Sequence, residues 1–265
     1  GALSLADLTY TKEMRAVQAE QQAQSAPAAT HGHAALRGER IDMLNSPAIQ
    51  AELPGLRTAF DSAAMRQHIQ SALFGKARPS AVVERCEVNQ ATYLPGQGVA
   101  LRYDVTVKDR VSGQTFEPIV IGMVFPTQLA GALYMRDKLA PLVELMRGRP
   151  EVAAFGTPAA LVESLNLALH VFPIDGELPT LIGATDPRRL KTVLSETLPQ
   201  ALDNTLAIEK CEVELVDYGR QHRATLRYHV RGRAGDEPRE LLVYGKVTGA
   251  VSYTHLRAHE TDSYL

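Results

Sequence analysis

The strongest constraint on the fold is an internal repeat. Residues 52–103 align with residues 177–228 without a gap, and 15 of the 52 aligned pairs are identical. The clearest match joins CEVNQATYLPGQGVALRY at 86–103 to CEVELVDYGRQHRATLRY at 211–228. Solenoid repeats are only about 20–50 residues long, so this much longer period indicates two copies of a small domain.

Each copy shows the same succession of helix and strand signals. An aspartate, Asp61 or Asp186, precedes a stripe of apolar residues at helical spacing, which is typical of a helix N-cap. Two segments of alternating apolar and polar residues follow, joined by a turn, and a polar turn then leads to a third segment, PIVIGMVF or RELLVYGKV. The sequence therefore predicts an α+β fold with two tandem units, each a helix on an antiparallel meander of at least three strands.

The repeat also predicts how the chain is divided. We expect a disordered or frayed helical lead-in at 1–46, a first repeat unit at 47–126, a connector at 127–172, a second repeat unit at 173–250, and an artefactual tail at 251–265. In the connector, 127–148 predicts a helix that Pro141 breaks or restarts, and 160–173 predicts one or two strands with His170 at the rim. The string VSYTHLRAHET in the tail resembles a translated sequencing adapter of the kind found in metagenomic reading frames, so we expect the natural protein to continue differently.

Composition excludes several classes of function. The net charge of −2 gives no electrostatic reason to bind nucleic acid or an anionic membrane. No apolar run approaches the roughly 18 residues that can cross a bilayer. Two cysteines at equivalent places in the repeat do not form a disulfide framework, and the metal-binding and hydrolase motifs CxxC, HExxH and GxSxG are absent from the sequence. A cytoplasmic protein with neither nucleic acid nor membrane as partner is expected.

One position distinguishes the two copies chemically. YGKV at 244–247 aligns with IGMV at 121–124, so that Lys246 stands where the first copy has Met123. An ammonium group on a rigid strand can neutralise a polyphosphate without reorganising, although a lone strand lysine is also an ordinary edge charge. Arg102 and Arg227 occur in both copies, so we expect them to serve the shared fold by pairing with Glu87 or Glu212.

The second copy resembles the small lobe of the kinase-like fold, and more narrowly the aminoglycoside-phosphotransferase-like (phosphotransferase enzyme) family. The resemblance rests on the LRY strand, on YGKV, and on the lead-in HVFPIDGELPTLIGATDPRRL at 170–190, and extends roughly over 50–250. It implies that YGRQHR at 218–223 is the turn on the phosphate side and that ATP is bound with Mg²⁺. The nucleotide-binding residues that it implies are Gly219, Arg220, Arg223 and Lys246.

The resemblance also implies what is missing. A His-x-Asp catalytic loop with a following asparagine, and a later metal-binding aspartate, do not occur before residue 250. The chain is therefore expected to be the amino-terminal part of an ATP-dependent phosphotransferase that phosphorylates a hydroxyl of a small-molecule acceptor, inactive without its catalytic lobe. The first copy would be a degenerate cap. The alternative is a non-catalytic tandem α+β module that binds a peptide, a lipid or a partner protein, with Lys246 as an edge charge.

Overall fold

The computed structural model describes residues 42–202, 206–219 and 223–249, without the side chains of 197–202. Residues 1–41 of the predicted lead-in and the whole of the predicted tail at 251–265 lie outside these ranges. Within them the chain forms two compact units, and the boundary falls between Gly176 and Glu177. Helices and antiparallel sheets are both present, which confirms the α+β class.

The first unit has helices at both ends of its central meander. Its helices are α1 (Pro47–Glu52), α2 (Leu56–Ala59), α3 (Ser62–Ile69), α4 (Gln128–Tyr134) and α5 (Ala140–Leu145). Its strands are β1 (Ala81–Leu94), β2 (Gly98–Asp109), β3 (Thr115–Phe116), β4 (Ile119–Val124), β5 (Ala159–Val162) and β6 (Leu167–Val171). A π-helical turn, Gln70–Phe74, extends α3, and a second one, Met135–Leu139, joins α4 to α5.

The sheet of the first unit has the order β1-β2-β4-β6-β5, with β3 beside β2. One face meets the helices before β1, where the buried Tyr103 hydroxyl donates a 2.8 Å hydrogen bond to the Ala59 carbonyl. The other face meets α4, whose Tyr134 ring lies 6.5 Å from the ring of His170. Because β5 and β6 pair with each other and β6 pairs with β4, the predicted connector at 127–172 is an integral part of this sheet.

The predicted N-caps form in both units. The Asp61 carboxylate accepts 2.9 Å bonds from the amides of Ala63 and Ala64 at the start of α3. Asp186 accepts a 2.9 Å bond from the amide of Arg188, at the start of the long helix of the second unit. Each aspartate satisfies amides that have no partner within the helix, and this fixes where the helix begins.

The second unit is a meander covered by one helix. It contains α6 (Leu181–Ala184), α7 (Pro187–Leu202), β7 (Ala207–Gly219), β8 (Arg223–Ala234) and β9 (Glu237–Thr248). The three strands are antiparallel in the order β7-β8-β9. Helix α7 covers one face of this sheet, and its side chains Leu190 and Leu194 are buried there. The buried side chains of β8 and β9 on this face are Ala224, Leu226, Tyr228, Val230, Val243 and Val247.

His170 is buried, with only 1% of its surface exposed, and so the predicted position at a rim is wrong. Strand β6, which carries His170, lies between β4 and β5, with α4 above it. These neighbours cover the imidazole. Its Nδ1 donates a hydrogen bond to the Ile174 carbonyl. Burial lowers the pKa of His170, because a charged imidazole loses its hydration, and the nearby Asp175 carboxylate opposes this shift in part.

This burial predicts acid destabilisation of the first unit. An unfolded histidine has a pKa of about 6.5, so protonation favours the unfolded state once the pH falls below that value. The free energy of unfolding should fall by up to about 1.4 kcal/mol per pH unit until the pH passes the folded-state pKa. Urea unfolding between pH 7.5 and 5.5 measures this slope. His170→Asn, which keeps a donor but does not titrate, should show a smaller slope; equal slopes would contradict the prediction.

Candidate functional site

Lys246 lies on the open face of the second sheet. In β9 the side chains of Val243 and Val247 are buried, and alternation along the strand turns Lys246 to the opposite face, where it is exposed. The cross-strand partner of Lys246 is Thr225 in β8. Helix α7 covers the buried face, so the ammonium lies on the side of the sheet away from this helix.

The strand register brings two more of the predicted residues to the same end of the sheet. Arg223 begins β8, opposite Gly219 on one side and Thr248 on the other. It shares the open face with Thr225, which makes it a diagonal neighbour of Lys246 at about 7–8 Å. Arg220 lies outside the described residues. The end of the sheet where β7 ends and β8 begins therefore carries Gly219, Arg223 and Lys246.

Most cations of β8 and β9 are neutralised by a carboxylate. The paired arginines are Arg227 with Glu214 at 2.6 Å, Arg231 with Glu240 at 3.0 Å, Arg233 with Glu209 at 3.5 Å, and Arg239 with Glu237 at 3.0 Å. Within the described residues, neither Arg223 nor Lys246 makes an ion pair or a side-chain hydrogen bond. Among the residues that the structure describes, the turn end of the open face thus holds two positive charges without an ion-pair partner.

One carboxylate shares this end of the face. Asp217 is exposed and pairs with Thr225 from the other side, so that Asp217, Thr225 and Lys246 form one row across the sheet. Two strand spacings separate Asp217 from Lys246, a distance of about 10 Å. At that distance in water the attraction is weak, which leaves the ammonium free to bind another anion.

A polar network adjoins the two free cations. The Arg227 guanidinium donates to the Glu214 carboxylate at 2.6 and 2.9 Å, and His229 lies 3.2 Å from the same carboxylate. The bonds from Arg227 and His229 lower the pKa of Glu214, and bonds to Glu214 and Tyr244 raise the pKa of Arg227. Since Glu214 is neutralised by these partners, it does not repel an anion bound beside it.

The predicted partners of the two repeated arginines are wrong. Arg227 pairs with Glu214 rather than Glu212, and Arg102 pairs with Asp104 at 3.2 Å rather than with Glu87. The register places Glu214 opposite Arg227, and it places Gln90 opposite Arg102. Glu87 and Glu212 instead pair with cations two residues away on their own strands, Arg85 and Lys210.

The equivalent place in the first unit is covered. Met123 in β4 pairs with Ala100 of β2. Its side chain lies on the same face of the first sheet as Ile121 and His170. Helix α4 lies over this face, and the Met123 side chain is only partly exposed. The first unit therefore lacks both the charge and the open surface found around Lys246.

The two cysteines are unpaired and buried. Burial raises the pKa of the Cys86 thiol to about 12 and of the Cys211 thiol to about 11. Both are therefore protonated near neutral pH and act as small apolar side chains in their sheets rather than as nucleophiles.

The described residues contain no group of three or more His, Cys, Asp or Glu side chains placed to hold a metal ion. In the same part of the chain, the helices are too short or too polar to cross a bilayer. No protein-family model, curated protein or solved structure matches this chain. The candidate site is therefore defined by its own geometry and charge.

Proposed function

We propose that the open face of the second unit binds the phosphates of ATP, and that the chain is the nucleotide-binding part of an ATP-dependent phosphotransferase. The observation that supports this most directly is the pair of cations Arg223 and Lys246, which have no ion-pair partner among the described residues and lie beside the turn that joins β7 to β8. A polyphosphate supplies more negative charge than the single Asp217 carboxylate offers at this end of the sheet. The family resemblance of the sequence around these residues points to the same ligand.

Each side chain has a distinct part in this proposal. The Lys246 ammonium is a compact charge on a strand, so it can contact phosphate oxygens without a change in the backbone. The planar Arg223 guanidinium can bind a phosphate through two parallel hydrogen bonds. Between them, the Thr225 hydroxyl can donate a further bond, and the backbone of Gly219 lets a phosphate approach the turn closely.

ATP with Mg²⁺ fits these residues through its phosphates. Bound Mg²⁺ would neutralise charge on the phosphate oxygens, and a catalytic lobe outside this sequence would supply its protein ligands, the catalytic base and the site for the hydroxyl acceptor. The residues of this chain bind and orient the phosphates. The first unit, with Met123 in place of the lysine, acts as a cap. A cytoplasmic location agrees with the ligand and with two cysteines that remain free.

The test is nucleotide binding by the whole chain. Lys246→Met, which reproduces the residue of the first unit, should weaken the affinity for Mg-ATP by about 10- to 100-fold, since a charge-assisted hydrogen bond contributes about 1.5–3 kcal/mol. Arg223→Met should weaken it similarly. Titration calorimetry measures both. The matched control is Arg231→Met, which removes an exposed cation of the same face that is already paired with Glu240.

Two results would contradict the proposal. Loss of affinity in Arg231→Met as large as in Lys246→Met would show that overall charge, and not this site, attracts the nucleotide. A wild-type chain that does not bind Mg-ATP at millimolar concentration would favour the non-catalytic binding module instead.

A further inference from the structure

The two edges of the second sheet differ in how they are protected against further pairing. Strand β7 forms one edge, and bulges at Glu209 and Val216 interrupt its register with β8. Charged side chains also occur along the whole of β7, at Glu209, Lys210, Glu212, Glu214 and Asp217. Bulges and charges of this kind prevent another strand from adding to an edge.

Strand β9 forms the other edge, and its centre has neither form of protection. Within the described residues it pairs with β8 alone, in a register that continues without a shift from Glu237 to Thr248. The central segment 241–245, LLVYG, carries no charged side chain. A long, regular and apolar edge is a template on which another strand can form.

The first unit shows what covers the equivalent edge. Strand β4 corresponds to β9, because Gly122 pairs with Leu101 of β2 just as Gly245 pairs with Leu226 of β8. On its other side β4 pairs antiparallel with β6, a mainly apolar strand whose five residues are all buried. In the part of the chain that the structure describes, β9 has no strand at this place.

The backbone of β4 reaches β6 at alternate residues. The Ile119 carbonyl accepts a 3.0 Å hydrogen bond from the Phe172 amide, and the Phe125 amide, just past the end of β4, donates a 2.9 Å bond to the Asn166 carbonyl. The amides and carbonyls between them alternate in direction, as in any antiparallel ladder. The corresponding residues of β9, whose backbone groups point to the open edge, are Leu242, Tyr244, Lys246 and Thr248. Pro238 has the same phase, so its missing amide costs no bond to β8.

The side chains of β6 show which residues fit beside such an edge. In the first unit, the ring of Tyr103 and the leucine side chains of β6 fill the space next to Gly122, where a Cβ would lie 2.8 Å from the Tyr103 ring. The second unit keeps both the glycine, as Gly245, and the tyrosine, as Tyr228, and both are buried. A strand with large aliphatic side chains at alternate positions therefore fits beside β9 as β6 fits beside β4.

We infer that the edge of β9 binds an extended segment of another polypeptide as a further antiparallel strand, in the register that β6 takes on β4. The segment carries large aliphatic side chains at alternate positions, as LALHV does at 167–171. Its backbone hydrogen bonds supply the affinity, and its alternate side chains supply the specificity. Every strand of the described residues already belongs to one of the two sheets, so none of them is the occupant. Pairing at the edge uses backbone groups, so it does not depend on nucleotide binding by the Lys246 side chain.

Amide hydrogen exchange tests whether the edge is open. In the whole chain alone, the amides of Leu242, Tyr244 and Lys246 should exchange at least about 100-fold faster than those of Val243 and Gly245, which point to β8. Equal protection of the two sets would show that the edge is already covered, and it would overturn the proposal.

A peptide with the sequence of residues 166–172, NLALHVF, flanked by lysines for solubility, is the probe for the occupant. Fluorescence anisotropy of the labelled peptide should show saturable binding to the whole chain, and the bound peptide should slow exchange at the three edge amides. N-methylation of the amide of Ala168, which would face β9, should weaken binding at least about 10-fold. N-methylation at Leu169, whose amide faces away, is the matched control and should change the affinity little.

A variant of β9 locates the binding. Leu242→Pro removes an amide that points to the open edge and leaves the ladder with β8 complete, so it should abolish binding of the peptide. If this variant does not fold, the two N-methylated peptides still decide. A peptide that does not bind, or equal weakening by the two N-methylations, would overturn the proposal. So would a dimer of the chain that Leu242→Pro abolishes, since a second copy would then be the occupant.

Discussion

Replacing Gly98 by alanine is expected to destabilise the first unit by at least about 3 kcal/mol. Gly98 ends the turn between β1 and β2 with a φ of +134°, a conformation that other residues rarely adopt. A Cβ at this position would also overlap the carbonyl oxygen of Val124 in the adjacent strand β4. Since backbone atoms on both sides are fixed by the sheet, the strain can be relieved only by separating β2 from β4 at this end.

Gly96 in the same turn provides the matched control. Its φ is also positive, at +72°, but a Cβ there would meet no atom within 4 Å. Gly96→Ala should therefore cost only about 1 kcal/mol, the strain of the left-handed conformation itself. Urea unfolding of the two variants measures the difference. Equal costs would show that the close approach of Gly98 to β4 does not determine stability.

Replacing Leu226 by alanine should destabilise the second unit by about 2–5 kcal/mol, the usual cost of a cavity in a packed core. Leu226 is fully buried in the central strand, opposite Leu215 and Gly245. The same substitution at Leu242, on β9, should cost less than about 1 kcal/mol, because that side chain is 47% exposed on the other face. Thermal unfolding of both variants compares identical chemistry on the two faces of one sheet.

This comparison bears directly on the candidate site. Lys246 is on the same face as Leu242, so a large effect at Leu242 would mean that the face is covered and that the ammonium cannot meet a nucleotide there. A small effect at Leu226 would contradict the assignment of the buried face. The nucleotide-binding proposal requires the large cost at Leu226 and the small one at Leu242.

Local patterns in the sequence were sufficient to predict most elements. The aspartates at 61 and 186 mark helix starts because a side-chain carboxylate can satisfy free amides nearby in the chain. Strands β7 and β8 follow from alternation over 207–219 and 223–234. The alternation along β9 places Lys246 on the face opposite to that of Val243 and Val247, so the face on which Lys246 lies could also be predicted.

What the sequence could not predict depends on pairing between distant segments. The partner of Arg227 is decided by the register of β7 against β8, which local patterns do not determine. The burial of His170 requires β6 to lie between β4 and β5 with α4 over this face of the sheet. The role of 127–172 in the first sheet likewise requires β6 to pair with β4 and β5. That Arg223 and Lys246 have no ion-pair partner within 42–202, 206–219 and 223–249 depends likewise on which carboxylates the register supplies to their neighbours.

The bulges of the two long hairpins have a consequence for any exchange of parts between the units. Both hairpins have a bulge at equivalent positions, Glu84 and Glu209, but the second bulge falls at Asn89 in one and at Val216 in the other. Leu215 therefore occupies the core position that Ala91 fills in the first unit, although a gap-free alignment places it against Gln90. A chimera that continues from Leu215 to Ala91, as the gap-free alignment suggests, would contain neither of these second bulges and would turn Ala91 outward. Working hybrids of the two hairpins must be joined outside both irregularities, so that each strand segment is transferred with its own bulge.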